Sequence, residues 1–203
     1  MPNQAPAHES TFRIMKHAFL LLWILAAPVI AETWTLESVD ESLIVRGTAK
    51  SSAGAKGSSL VLDGESLIEL KDSARLGDGA FTLSLWFNPH EPIGTQQVLA
   101  GKNRYSRNER QWSLTIEPNG RLRAHLQQEG WSTISCWEAL EPGGWYLATM
   151  VVEPDRAALF LNGKPAGEVK LKRPIAPTEA PITLGGIWDA EGVRQPFQPD
   201  LRS

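Results

Sequence analysis

Acidic side chains that could cleave a bond are few and scattered in this 203-residue chain. Hydrolysis by paired carboxylates needs two carboxyl groups about 5 Å apart for retention and somewhat further apart for inversion. Asp189 and Glu191 stand two residues apart, but they lie between Trp188 and Gly192 in a stretch that reads as loop. Glu37 and the pair Asp40-Glu41 are equally isolated, and all of these read as solvated loop charges. His90-Glu91 opens like a zinc-protease helix, yet Pro92 breaks a helix and Gly94 stands where the second histidine belongs. No Gly-x-Ser-x-Gly elbow occurs. Gly77-x-Gly79 lacks the third glycine and the helix of a nucleotide loop. No cysteine–histidine cluster could hold zinc. Cys136 is the only cysteine, so no disulfide forms within the chain. It reads as a small buried strand residue. As a nucleophile it would need a base, and nothing in the spacing ties it to His90 or His125. The pattern predicts no catalytic residue.

Aromatic rings are the better lead. Seven tryptophans follow residue 31: Trp34, Trp86, Trp112, Trp131, Trp137, Trp145 and Trp188. Trp86, Trp112 and Trp145 fall at strand positions where core packing is expected. Trp131, Trp137 and Tyr105 flank loops, where flat rings can stack on sugar faces. Arg104, Arg107 and Arg110 crowd the same loop as Tyr105, and their guanidinium groups suit an acidic or sulfated glycan. The candidate ligand site is therefore Arg104, Tyr105, Arg107, Trp131 and Trp137.

These side chains need a β scaffold. Residues 80–89 carry the longest unbroken β signal, with Phe81, Leu83, Leu85 and Phe87 on one face and Thr82, Ser84, Trp86 and Asn88 on the other. Trp86 on the second face predicts an inner strand covered on both sides. Two short strands are expected at 33–37 and 42–46, a loop at 49–59, and a hairpin joining 60–62 to 67–70 through Asp63-Gly64. Residues 97–100 form a strand and 101–110 a loop. Residues 111–116 and 121–126 form a hairpin, with Leu122, Ala124 and Leu126 inward and Arg121, Arg123 and His125 outward. Strands follow at 131–136, 145–152, 157–161, 166–171 and 182–186, and Asn162-Gly163 is a strong hairpin turn. Many short strands and no helix past the leader predict an antiparallel sandwich, with a barrel as the alternative.

The formal net charge is -3 and no basic run is present, so nucleic acid is not an expected partner. Lys16-His17 precedes an apolar run at 18–27, and Val29 and Ala31 supply a cleavage pattern. This is the layout of a secretory signal peptide over residues 15–31, with 1–14 upstream of its start. The run is short of the roughly 20 residues a bilayer span needs, so no stable membrane insertion is expected after cleavage, with an uncleaved anchor as the alternative reading. The expected location is secreted, periplasmic or at the cell surface.

Six segments, in order, resemble the laminin-G-like, concanavalin A-like jelly-roll family. They are Gly57-Ser-Ser-Leu-Val-Leu-Asp-Gly64, Phe81-Thr-Leu-Ser-Leu-Trp-Phe-Asn-Pro89, and Trp112-Ser-Leu-Thr-Ile with Gly120-Arg-Leu-Arg. Gly144-Trp-Tyr-Leu-Ala-Thr-Met-Val-Val152, Leu159-Phe-Leu-Asn-Gly-Lys164 and Ile182-Thr-Leu-Gly-Gly186 complete the set. The resemblance implies an all-β antiparallel sandwich over residues 32–198. It departs from the family at the closing strand, where Pro196-Phe197-Gln198 starts the pattern and residues 199–203 break it. The domain is expected to lack that last strand, leaving a sheet edge open to pair with another chain. Family members include glycoside hydrolases, one branch of which carries Glu-x-Asp-x-x-Glu on a strand; no such run is present here. The resemblance admits a calcium ion held by loop oxygens, but no ligand spacing identifies one. It implies a secreted, non-catalytic module that binds a glycan or an extracellular protein. A glycosidase and an adhesion domain of a longer protein are the alternatives.

Overall fold

The computed structural model describes residues 31–62, 64–90, 94–188 and 194–195. Two antiparallel sheets face one another. The larger has seven strands in the order β1 (Leu43–Arg46), β4 (Leu67–Leu70), β13 (Thr183–Leu184), β6 (Gln97–Arg104), β7 (Glu109–Ile116), β8 (Arg121–Gln127) and β9 (Trp131–Ala139). The smaller has four, in the order β12 (Lys164–Lys170), β11 (Arg156–Leu161), β10 (Tyr146–Val152) and β5 (Phe81–Phe87). Two ribbons complete the fold: β2 (Ala49–Ala53) with β3 (Ser58–Leu62), and β14 (Ile187–Trp188) with β15 (Arg194–Gln195). The chain from Trp34 onward gathers into one unit. This is the antiparallel sandwich that the alternation predicts, in the jelly-roll form that the resemblance implies.

The core lies between the sheets and draws on both inner faces. Trp112, Leu114, Ile116, Leu122, Ala124, Leu126, Ile134 and Cys136 come from the large sheet. Ala148, Met150, Val152, Ala157, Leu159, Leu161 and Ala166 come from the small one. Period two places every second residue inward, which is why β8 alternates so cleanly between Leu122, Ala124 and Leu126 inside and Arg121, Arg123 and His125 outside. The sheets come closest where β12 crosses β9. A Cβ on Gly167 would lie 2.8 Å from Ile134 Cγ2, so only glycine fits there without displacement.

The turns show why particular residues stand where they do. β11 and β12 are joined by Asn162 and Gly163 at φ 51° and 75°, the paired left-handed conformation of a tight hairpin. Asn162 is further fixed because its N–H donates to Leu147 O (2.8 Å) and its Oδ1 accepts from Leu147 N (2.9 Å).

Several local expectations are corrected. Residues 33–37 are not a strand; Leu36 turns the chain at φ 53°, while Trp34 and Leu36 still pack on the core. Residues 49–59 are not all loop, since β2 pairs with β3 around a turn at 54–57. The expected hairpin between 60–62 and 67–70 does not form: β3 pairs with β2, and β4 with β1 and β13. Gly64 (φ 79°) reverses the chain there, but a turn residue does not specify the partner. The loop expected at 101–110 shrinks to a 3-10 turn at Tyr105–Arg107, because β6 and β7 extend on either side of it. Among the described residues β5 pairs with β10 alone and stands at the end of the four-stranded sheet. Trp86 is accordingly 49% exposed rather than packed in the core. The proposed leader and residues 196–203 lie outside the described residues, as do Asp189 and Glu191. Among the described residues, no helix is long and apolar enough to cross a membrane.

Candidate functional site

The large sheet turns one face to the core and the other away from the small sheet. Across β7, β8 and β9 that outward face is polar row by row. Ser113, His125 and Thr133 stand opposite one another in one row, and Thr115, Arg123 and Ser135 in the next. Glu117 follows directly after β7, held by a turn in which its N–H donates to Arg121 O (2.9 Å) and its carbonyl accepts from Gly120 N (2.8 Å).

Glu117 is the centre of this face. Its Oε1 accepts hydrogen bonds from Gln96 Nε2 at 2.9 Å and Thr115 Oγ1 at 2.7 Å, and faces His125 Nε2 at 3.2 Å. Its Oε2 meets Arg123 Nη1 at 3.2 Å. Arg123 is steadied in turn by donating through Nε to Ser135 Oγ at 2.9 Å. Burial pushes the Glu117 carboxyl up, but the bonds from Gln96, Thr115 and His125 and the Arg123 charge together hold it below the usual carboxylate range. Burial pushes His125 below the usual imidazole range and Arg123 adds to this; Glu117 offsets only part of it. At neutral pH the pair is therefore a carboxylate facing a neutral ring, and the ring tautomer protonated at Nε2 donates to the carboxylate.

Aromatic rings flank the polar floor along β9. Trp131 is 41% exposed and meets His125 edge to face, with ring centroids 6.1 Å apart and planes at 86°. Trp137 is 79% exposed, where the β8–β9 register shifts near Arg121. Trp131 and Trp137 are six residues apart on one strand, roughly 20 Å along its axis.

The structure distributes the five sequence-predicted ligand residues over this sheet. Arg104 ends β6 and faces Glu109 across the turn, Nη1 to Oε2 3.7 Å. Tyr105 and Arg107 form the turn itself, and Arg110 lies over the Tyr105 ring at 5.1 Å while also bonding Asn108 Oδ1. The turn and Trp131 are at the same end of the sheet, separated by β7 and β8. Trp137 is at the opposite end. Sequence reasoning placed Arg123 and His125 outward but missed Glu117, Thr115, Ser135 and Gln96. The signal was the period-two run 113, 115, 117 facing 121, 123, 125 across a hairpin.

Other candidate chemistry separates. Cys136 is buried on the inner face of β9, whereas His125 is on the outer face of β8, so the sheet lies between thiol and ring. The half-buried carboxylates each meet a cation of the protein: Glu69 with Arg46, Asp78 with Lys102, Glu109 with Arg104, Glu117 with Arg123. Among the described residues, no group of three or more His, Cys, Asp or Glu side chains could hold a metal ion.

A sequence profile of the laminin-G type, described as the concanavalin A-like lectin/glucanases superfamily, matches residues 62–201. The chain belongs to that superfamily. No curated protein matches it in sequence. Among solved structures, this superfamily member resembles domain 4 of an extracellular arabinanase, AbnA, from Geobacillus stearothermophilus, in complex with arabinotriose. The TM-score is 0.58 at 18% identity, over 70% of this chain and 72% of that one. It also resembles the carbohydrate binding module CBM66 from Bacillus subtilis, with TM-score 0.46 at 12% identity over 71% and 88% of the two chains. Domains LG4-5 of the mouse laminin alpha1 chain match with TM-score 0.47 at 17% identity, over 60% of this chain and 33% of that one. At 18% identity the likeness to the arabinanase domain is one of fold.

Proposed function

We propose that this chain is an exported, non-catalytic recognition module that binds carbohydrate, or a similarly polar extracellular partner, along the outward face of β9. The carrying observation is the pair Trp131 and Trp137, two exposed indoles on one strand with a hydrogen-bonded floor between them. Indoles present flat apolar faces to sugar C–H groups, and Thr133, Ser135, Arg123 and Gln127 offer donors and acceptors for hydroxyls. Arg104, Tyr105 and Arg107 would extend the site at the Trp131 end, where their charge favours an acidic or sulfated chain.

The same face argues against hydrolysis. A general acid must carry a proton, and Glu117 is held ionised by its four partners. Its partners are Gln96, Thr115, Arg123 and His125, none of them a carboxyl group. A glycan panel followed by titration calorimetry on the folded chain tests the reading. Binding of an oligosaccharide without turnover is the expected result. Silence across neutral, acidic and sulfated glycans would overturn the carbohydrate assignment. Turnover abolished by Glu117→Gln would overturn the non-catalytic one.

A further inference from the structure

Among the described residues, strand β5 is an open edge. It pairs with β10 in unbroken register from Phe81 opposite Val152 to Phe87 opposite Tyr146, and among the described residues no strand pairs with its other side. An unpaired edge presents a row of backbone N–H and C=O groups that a further strand can satisfy. Protein sheets ordinarily blunt such edges, and the far edge of this same sheet does so. β12 carries Lys164, Pro165, Glu168 and Lys170, and its register with β11 breaks between Leu159 and Phe160. β5, Phe-Thr-Leu-Ser-Leu-Trp-Phe, has no charge, no proline and no bulge.

Its inner face is also incompletely covered. Phe81, Leu83 and Leu85 point at the core yet remain partly exposed, while their β10 partners Val152, Met150 and Ala148 are buried to 1%, 0% and 0%. The strand's inner face is moreover symmetric about Ser84: Leu83 mirrors Leu85, and Phe81 mirrors Phe87. An antiparallel twofold centred on Ser84 would set like apolar side chains against each other on the inner face. On the outer face it would set Trp86 beside Thr82, with Ser84 opposite itself. The absence of charge removes like-charge repulsion from such a self-pairing.

We propose that β5 is a self-association strand: two copies pair antiparallel about Ser84 and join their four-stranded sheets into one of eight. Exposed Ser84 is the place to test it, since its side chain meets only Thr149 Oγ1, at 3.0 Å, among the contacts seen. Light scattering coupled to size exclusion on the full chain should show a dimer. Ser84→Lys and Ser84→Glu should each give monomers with unchanged circular dichroism, weakening association at least about tenfold by placing like charges opposite each other. An equimolar mixture of the two variants should recover the dimer. A monomeric wild type would overturn the proposal and leave the edge to another occupant, either residues 196–203 or a foreign strand. A dimer that survives both substitutions, or monomers that fail to recover on mixing, would overturn it as well.

Discussion

His125 Nε2 stands 3.2 Å from Glu117 Oε1, on the outward face of the large sheet, with Thr115 Oγ1 within 3.1 Å of the same ring nitrogen. The ring is held below its usual range by burial first and then by Arg123. The carboxyl is held below its usual range because the bonds from Gln96, Thr115 and His125 and the Arg123 charge outweigh its burial.

Both shifts make the fold sensitive to acid, in two windows. A histidine whose folded pKa is lowered favours the neutral ring, so its contribution is full above about 6.5 and is lost as pH falls through the folded value. A carboxyl whose folded pKa is lowered contributes fully above about 4.5 and loses that contribution as pH falls through its own folded value. The melting temperature should therefore decline in two steps as the solution is acidified, the first setting in below about pH 6.5 and the second below about pH 4.5. His125→Gln should remove the upper step and Glu117→Gln the lower. An upper step that persists in His125→Gln would show that another group governs it.

Removing the carboxylate outright should cost more than neutralising it. Glu117→Ala removes the acceptor of Gln96 Nε2 and Arg123 Nη1 and the shorter bond of Thr115 Oγ1 on a largely covered surface, which should cost about 2–4 kcal/mol by urea unfolding. Glu117→Gln keeps the shape and one acceptor oxygen and should cost less.

Asp78 and Lys102 should respond unequally to mutation. Lys102 is fully buried and its Nζ donates to Asp78 Oδ1 at 2.9 Å, while Gln111 Nε2 contacts the same oxygen at 3.3 Å. Asp78→Ala leaves a buried ammonium unpaired and should cost about 3–5 kcal/mol. Lys102→Met removes the charge and keeps the volume, leaving only a half-exposed carboxylate, and should cost less than half as much. Equal losses in the two variants would show that the packing of residue 102, rather than its charge, decides stability.

Gly167 and Ile134 set how closely the sheets approach. Gly167→Ala puts a methyl 2.8 Å from Ile134 Cγ2 and should cost about 1–3 kcal/mol through overpacking. Ile134→Ala empties that space, so the double variant should lose less than the two single losses added together. Simple additivity would place the strain elsewhere.

How much of this could be read from the chain depends on where the deciding physics acts. β8 was legible because alternation and burial coincide at Leu122, Ala124 and Leu126. The β11–β12 hairpin was legible because Asn162-Gly163 is demanded by its positive φ angles. β2 was not, because Ala-Lys-Ser-Ser-Ala buries almost nothing and exists only through pairing with β3. The edge position of β5 was not legible either: an apolar alternating strand looks the same inside a sheet as at its border. Glu117 read as part of a turn, since its four partners come from residues 96, 115, 123 and 125 and meet only once β7 and β8 have paired. The family likeness reached the fold through ordered strand motifs, but no strand motif encodes a surface network.

The two exposed tryptophans of β9 give the sharpest separation of binding from stability. Trp137 is 79% exposed, so Trp137→Ala should leave unfolding within about 0.5 kcal/mol of wild type. Trp131 is half covered and packs edge to face on His125, so Trp131→Ala should cost about 0.5–1.5 kcal/mol and disturb the His125 titration. If a chain ligand spans the strand, each substitution should weaken binding about tenfold, equivalent to 1.4 kcal/mol. A ligand short enough to sit at one end should respond to only one of them, since the rings are roughly 20 Å apart. Titrating oligosaccharides of increasing length against both variants reads this directly. Sensitivity to Trp131 alone would confine the site to the end shared with Arg104, Tyr105 and Arg107. Sensitivity to neither would remove the β9 face from consideration as the ligand platform.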